Sequence, residues 1–229
     1  KKWPTFWCLA LCQLIPIVGP IVAIGYFFRR FTRERHGHQS EDFNFNQFAE
    51  YLKFGLWPFL ASLPVTVVGI IVVYIALILN VIGISLMAEG GNPIVGLILL
   101  LLGLLGSIVL GLVLIAPIAA LTFRAGALQG FKAGYDFGFI KSFCKKVGIS
   151  ITLYIFLIIL ISMPILIIAS FTFVLIYPLS GILTFAMFHL YFQHYDLYVE
   201  RGGEALAFAP ELLAEYQLAP PGPPASPAQ

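Results

Sequence analysis

Charged residues are scarce in this chain of 229 residues. Asp, Glu, Lys and Arg together make up 10% of it, whereas hydrophobic residues make up 60%. Soluble domains carry about 25% charged residues, so this chain has too few of them to cover a surface in water. The net charge of +2 is also too small to indicate a nucleic-acid partner. These shortages favour an integral membrane protein.

Charges are missing altogether from four long segments, which are 3–28, 54–88, 90–123 and 147–195. A transmembrane helix needs roughly 20 mostly apolar residues, and each segment exceeds that length. The fourth is long enough for two helices that turn near residues 170–178. We therefore predict an all-α, polytopic transmembrane bundle in a single domain, 1–201. Its five spans are expected at about 5–28, 57–80, 94–120, 149–169 and 173–194.

The two ends of the chain are less regular. Pro16 and Pro20 fall inside the first predicted span, where proline removes a backbone hydrogen bond. That segment is either a kinked span or a broken, re-entrant helix that leaves four full spans and a cytoplasmic N-terminus. At the other end, residues 202–229 finish in "LAPPGPPASPAQ", which is too rich in proline to pack alone. We predict a largely flexible C-terminal tail with a short helical stretch near Pro210.

Basic residues concentrate in two loops. The loop after the first segment holds Arg29, Arg30, Arg33, Arg35 and Lys53, and the loop after the third holds Arg124, Lys132, Lys141, Lys145 and Lys146. The other two loops hold no Lys or Arg. The positive-inside rule therefore predicts that both basic loops and the C-terminus lie in the cytoplasm and that the N-terminus lies outside.

An Asp-Phe-x-Phe pattern occurs in both basic loops, beginning at Asp42 and at Asp136. A Lys-x-Gly triplet and a long apolar segment follow each copy, which indicates a parallel internal repeat; chance similarity is the alternative. We predict interfacial amphipathic helices at about 43–54 and 136–146, with plain cytoplasmic loops as the alternative. The side chains expected at anionic lipid headgroups are Arg29, Arg30, Arg33, Lys53, Arg124, Lys132, Lys141, Lys145, Lys146, Phe43, Phe45, Phe137 and Phe139.

Two stretches carry a family resemblance: "IPIVGPIVAIGYFFRRF" and "LTFRAGALQGFKAGYDFGFIKSFCKKV". With them the chain resembles, from about Trp3 to Tyr198, the bacterial and archaeal membrane family catalogued as domain of unknown function four-zero-one-three. The resemblance implies a multi-pass helical protein of the cytoplasmic membrane. It supplies no catalytic residue.

Small residues recur at helical spacing in two spans. In the second span they occupy every seventh position, at Ser62, Gly69, Ala76 and Gly83, and in the third every fourth, at Gly103, Ser107 and Gly111. Such spacing is typical of helices that pack closely in a membrane. These residues are expected to pack the second span against the third; an oligomer interface or a pore lining is the alternative.

Reactive side chains are few. The sequence contains no P-loop, zinc-protease, nucleophile-elbow or Cys-x-x-Cys pattern, and no charge falls at mid-span depth, where ion paths are marked by charged residues. His189, Cys8 and Cys12 are the only candidates for contact with a cofactor, and each has an ordinary structural role as its alternative. We therefore expect no enzyme activity, no metal and no cofactor.

Three classes of function remain. We expect an accessory, scaffolding or assembly component of the membrane, which packs against itself or against other membrane proteins. The alternative is a lipid or small-molecule binding or permeation module with a cavity between the two repeat halves. An enzyme or cofactor carrier is the third class and has the least support from the residues present.

Overall fold

The computed structural model describes residues 3–15, 17–38, 42–88, 91–171 and 176–214. Within these ranges the chain is helical and has no β-strand, so the predicted all-α fold is confirmed. A 3₁₀ turn at Phe45–Gln47 precedes the third helix. The helices are α1 (Trp3–Cys12), α2 (Val18–Arg35), α3 (Phe48–Ala88), α4 (Pro93–Leu128), α5 (Phe131–Gly134), α6 (Phe137–Ser170), α7 (Ile176–Glu200) and α8 (Pro210–Leu213).

Three segments of the described chain are long and apolar enough to cross a membrane: Phe45–Ala88, Pro93–Leu128 and Phe137–Ala169. They contain the predicted second, third and fourth spans. The predicted fifth span, 173–194, falls mostly on α7, which is not among these three. Residues 173–175 of that span lie outside the described residues. The chain is thus a membrane protein with at least three helices of membrane-spanning length and composition.

The first predicted span, 5–28, is not one helix. It is divided into α1 and α2, and the 10 residues of α1 reach only about 15 Å, half of a hydrocarbon core. The chain turns sharply between them and brings Gly19 against the end of α1. A Cβ built on Gly19 would lie 2.1 Å from the carbonyl oxygen of Cys12. Ile17 has a positive φ of 68° at this turn. Pro20 fits the first turn of α2, where backbone N–H groups have no partner within the helix.

The predicted interfacial helices, 43–54 and 136–146, are not separate from the spans that follow them. Most of the first belongs to the opening turns of α3, which continues for 41 residues, and the second opens α6, which continues for 34. The Asn44 side chain accepts from the amide of Asn46 and so caps the 3₁₀ turn before α3, whereas Asp136 accepts from the amide of Phe139 and caps α6 itself. Pro58 and Pro64 lie inside α3 and Pro164 lies inside α6, yet each helix continues from its polar start through its apolar part.

The buried core lies at one end of the bundle. It consists largely of aromatic side chains from α2, α4, α6 and α7, such as Phe28, Phe123, Phe143 and Phe192. The membrane-length parts of α3, α4 and α6 are different, since only 11%, 6% and 11% of their most apolar windows are buried within the protein. The molecule therefore combines a tightly packed end with long apolar helices that face their surroundings.

Two glycines bring α2 and α3 into backbone contact. A Cβ on Gly25 would lie 1.8 Å from the carbonyl oxygen of Tyr51, and a Cβ on Gly55 would lie 1.8 Å from that of Ile21. Since real Cβ atoms do not approach other atoms so closely, any larger residue would separate the two helices. The α2–α3 crossing thus requires glycine at both positions.

A second close contact joins α3 to α4. A Cβ on Gly83 would lie 2.6 Å from the Gly96 carbonyl oxygen, and one on Gly103 would lie 2.7 Å from that of Ala76. Three of the small residues singled out in the sequence, Ala76, Gly83 and Gly103, thus lie at the contact between these helices. Gly96 belongs to it as well. Four others lie outside this closest contact: Ser62, Gly69, Ser107 and Gly111, of which Gly111 has no atom within 4 Å of its Cβ position.

We predict that Gly55→Ala destabilises the protein by at least about 2–3 kcal/mol, because the added methyl group overpacks the α2–α3 crossing. Gly106→Ala is the matched control. No atom lies within 4 Å of its Cβ position, so the better helix propensity of alanine should leave stability equal or higher by up to about 1 kcal/mol. Thermal melting in detergent, followed with a thiol-reactive dye that detects exposure of buried Cys12, measures both. Equal melting temperatures for the two variants would contradict the crossing.

Candidate functional site

Charged side chains from several helices gather at the packed end of the bundle. We call this cluster the charged base and define it by its ion-paired members: Arg29, Arg30, Glu34, Arg35, Glu50, Arg124, Asp136, Asp196 and Glu204. It joins the end of α2 to the starts of α3 and α6 and to the end of α7. Because these members lie far apart in sequence, the base exists only in the folded chain.

Arg29 is the most deeply buried charge of the base. Its side chain is 2% exposed and pairs with Glu50, whose carboxylate oxygen lies 2.5 Å from Nη1. The same nitrogen lies 3.4 Å from Oε1 of Gln47, and that oxygen also accepts from the hydroxyl of Tyr51 at 2.7 Å. A buried cation must have such partners, since an unpaired charge in a low-dielectric interior costs several kcal/mol.

Two other cations of α2 are paired, one within the helix and one across to α7. Arg30 is buried, and its guanidinium donates to two side chains of α2 itself, to Glu34 at 3.0 Å and to the hydroxyl of Tyr26 at 3.1 Å. Arg35 pairs with Asp196 on α7 and lies 5.1 Å from the centroid of the Tyr195 ring. Arg35 thus fastens the C-terminal end of α2 to α7, as Arg29 fastens it to α3.

Arg124 and Asp136 form an ion pair at the start of α6, as Arg29 and Glu50 do near the start of α3. Nη2 of Arg124 lies 2.8 Å from Oδ2 of Asp136, and Nε donates to the Ala133 carbonyl oxygen at 2.9 Å. The other carboxylate oxygen of Asp136 caps α6 by accepting from the amide of Phe139. This amide hydrogen bond, together with the nearby Arg124 charge, lowers the pKa of Asp136 below its ordinary value of 3.8.

The chain after α7 crosses the base as a packed segment. Leu206 and Leu212 are buried, the latter completely, and the amide of Ala209 donates to the Ala127 carbonyl oxygen at 2.8 Å. Phe208 lies against the rings of Phe123 and Tyr195. This first part of the predicted flexible tail is therefore held by the protein. Residues 215–229 lie outside the described residues.

The side chains predicted at lipid headgroups divide into three groups. Four are buried in protein: Arg29, Arg30, Phe43 and Phe139. Three are half-buried, namely Arg33, Arg124 and Lys146. Six are exposed, namely Phe45, Lys53, Lys132, Phe137, Lys141 and Lys145. The two buried arginines hold the fold together in this structure and do not face lipid; headgroup contact remains a prediction for the exposed group.

The candidate cofactor contacts have ordinary partners. His189 lies on the surface, 2.9 Å from the Gln193 side-chain nitrogen and stacked on Phe185. Cys8 and Cys12 are free thiols, and Cys12 is buried in the core. Among the described residues, no three His, Cys, Asp or Glu side chains converge as a metal site would require.

Grooves open sideways between pairs of helices along their apolar parts. One, of about 450 Å³, lies between α3 and α4, the two helices that join the predicted repeat halves; Gly103 and Gly106 form part of its wall. A second, of about 510 Å³, lies between α4 and α6 and reaches down to Cys144 near the charged base. A third, of about 200 Å³, lies between α6 and α7 beside Ser162. All three are predominantly apolar.

Sequence reasoning missed several residues of the base. Glu50 and Asp196 were not singled out, although both are acidic residues next to long apolar segments, where an unpaired charge is costly. That context is the one signal that could have identified them. Gly25 and Gly96 carry no comparable signal, because a single glycine in an apolar helix does not reveal which helix it will touch.

We predict that Glu50→Gln lowers the free energy of unfolding by about 1–3 kcal/mol, since it leaves buried Arg29 without its carboxylate. The lower part of that range allows for Glu50 being 39% exposed. Glu204→Gln is the control, because Glu204 is 58% exposed and lies 3.5 Å from Arg124; it should change stability by less than about 0.5 kcal/mol. Melting temperatures that fall equally in both variants would show that burial of Arg29 is unimportant.

The Asp136 pair should make stability depend on pH. Because the folded-state pKa is lowered, its contribution is present above about pH 4 and is lost as the pH falls through the lowered value. Asp136→Asn keeps a helix cap but loses the charge, so it should melt below the parent protein near pH 7 and converge with it once the pH has fallen below the lowered pKa. Asp136→Ala also loses the cap and should stay lower throughout. If the difference in melting temperature between Asp136→Asn and the parent protein stayed constant across this pH range, the ion pair with Arg124 would be refuted.

Comparisons with known proteins match this chain to one protein family. No curated protein and no solved structure matches the chain significantly. The family described as "Protein of unknown function (DUF4013)" matches residues 8–189, which include α2 to α6 and most of α7. That range is most of the chain and contains the greater part of the charged base. The chain therefore belongs to the DUF4013 family.

Proposed function

We propose that this protein is a non-catalytic component of the cytoplasmic membrane that associates laterally with transmembrane helices of a second copy or of another subunit. It serves as an accessory or scaffolding element. The charged base fixes its fold at the membrane surface, and the α3–α4 hairpin presents the associating surface.

The groove between α3 and α4 carries this proposal. Gly106 lies in its wall and has no atom within 4 Å of its Cβ position, so the surface there is open down to backbone. Small residues let helix backbones approach closely in lipid, where dispersion contacts rather than hydrophobic burial drive association. The low burial of both helices leaves the surface around the groove free for such a contact.

The orientation of the protein follows from the charged base. Basic side chains from the two predicted cytoplasmic loops, such as Arg29 and Arg124, lie at the same end of the bundle. The positive-inside rule supports placing that end in the cytoplasm. A fluorescent protein fused to the C-terminus should then fluoresce in cells, and an alkaline phosphatase fused there should be inactive; active phosphatase would reverse the orientation.

Photo-crosslinking in native membranes tests the lateral association. A photoreactive amino acid at Val109, which is 58% exposed beside the groove, should give protein adducts of discrete size. At Val81, which is 63% exposed and does not line the groove, it should give lipid adducts alone. Gly106→Leu should reduce the Val109 adducts several-fold without lowering the melting temperature. Lipid adducts alone at both positions would refute the proposal.

A further inference from the structure

The groove between α4 and α6 differs from the other two grooves in its surroundings. Its wall is made by Leu112, Val113, Ala116 and Pro117 of α4 and by Cys144, Gly148, Ile149, Thr152 and Leu153 of α6. Both helices are among the three that can cross a membrane. The groove therefore opens to the hydrocarbon region and begins about two helical turns from the charged base, since Cys144 follows Asp136 by eight residues and Pro117 precedes Arg124 by seven.

Two lysines lie on the same face of α6 as the groove. At 100° per residue, Lys141 falls between Gly148 and Thr152 around the helix, and Lys145 falls within about 20° of Thr152. Both lysines are exposed. Lys145 precedes Thr152 by seven residues, a rise of about 10 Å. A molecule that lay along the groove would therefore meet two cations at its lower end.

These lysines have no partner of opposite charge among the described residues. The arginines nearby do: Arg124 is neutralised by Asp136, and Arg29 by Glu50. Lys146, next in sequence, donates to the carbonyl oxygen of Arg201 and so points toward the end of α7. Lys141 and Lys145 thus present positive charge beside an apolar groove, and an anion would complement that charge.

We propose that the α4–α6 groove is a binding site for an anionic phospholipid. One acyl chain lies between α4 and α6 along Val113, Gly148 and Thr152, and the headgroup phosphate lies between Lys141 and Lys145. A phospholipid fits this site because its two parts match the two parts of the groove. Its anionic headgroup matches the lysines, and its acyl chain matches the apolar wall. An uncharged lipid would fill the groove without satisfying the lysines.

Native mass spectrometry of the full chain in detergent tests the headgroup contact. The protein is titrated with equimolar phosphatidylglycerol and phosphatidylcholine. Lys141→Gln/Lys145→Gln should weaken phosphatidylglycerol binding by roughly 5- to 30-fold, since each lysine near a membrane surface contributes about fivefold, and should leave phosphatidylcholine unchanged. Lys53→Gln/Lys132→Gln is the control: it removes the same charge from two exposed lysines whose predicted headgroup contacts lie outside this groove, so it should leave phosphatidylglycerol binding in the groove unchanged. An equal loss of phosphatidylglycerol binding in both double variants would show that only net charge matters, and it would overturn the proposed site.

A second variant tests the acyl-chain contact. Leu153→Trp fills the groove from its exposed side, as Leu153 is 56% exposed and lines this groove but not the one between α3 and α4, and it alters neither lysine. It should weaken phosphatidylglycerol binding at least fivefold while the melting temperature stays unchanged; Ile161→Trp, at a position 67% exposed and away from the groove, should not. Undiminished binding in Leu153→Trp, or full competition by glycerol phosphate without acyl chains, would overturn the proposal. Because crosslinking at Val109 concerns the α3–α4 groove, each proposal can fail without the other.

Discussion

The backbone contact between α2 and α3 is the constraint on which the rest of the charged base depends. Gly25 and Gly55 let the two helices touch. Arg29 follows Gly25 by one turn, and Glu50 precedes Gly55 by little more than one, so the contact sets the guanidinium directly against its carboxylate. A wider crossing would leave a buried cation without a counter-ion, which costs more than the loss of apolar contacts. The C-terminal segment completes the arrangement, since the Ala214 carbonyl oxygen lies 3.5 Å from Arg29.

This arrangement divides the molecule by polarity. Ion pairs and aromatic rings hold one end together, whereas the membrane-length helices are largely unburied and apolar. The paired charges are thereby concentrated at the packed end of the bundle. Both proposals follow from this division: lateral association uses small residues at membrane depth, and lipid binding uses the place where the apolar groove meets unpaired lysines.

The predicted repeat illustrates what a short pattern can and cannot convey. In the first Asp-Phe-x-Phe copy Phe43 is buried and Phe45 exposed, whereas in the second Phe137 is exposed and Phe139 buried. The helix caps differ in the same way: Asn44 caps the 3₁₀ turn before α3, and Asp136 caps α6 itself. In the first copy the capping residue lies two positions later in the pattern than in the second copy. The matching phenylalanines therefore face opposite sides. The internal repeat therefore stays a prediction, although both copies begin a long apolar helix.

The sequence by itself determined that the protein is helical and lies in a membrane, because a long run of apolar residues is a local property that no distant contact can reverse. It also placed the start of the third span at residue 94, next to Pro93 where α4 begins, and singled out the small residues Ala76, Gly83 and Gly103. The tertiary structure alone decided the break between α1 and α2, the packing of residues 202–214, and which basic residues are buried. Arg35 and Asp196 are 161 positions apart, and their pairing depends on how α2 packs against α7. Charge pairing of that kind is decided by helix packing, which composition and spacing do not specify.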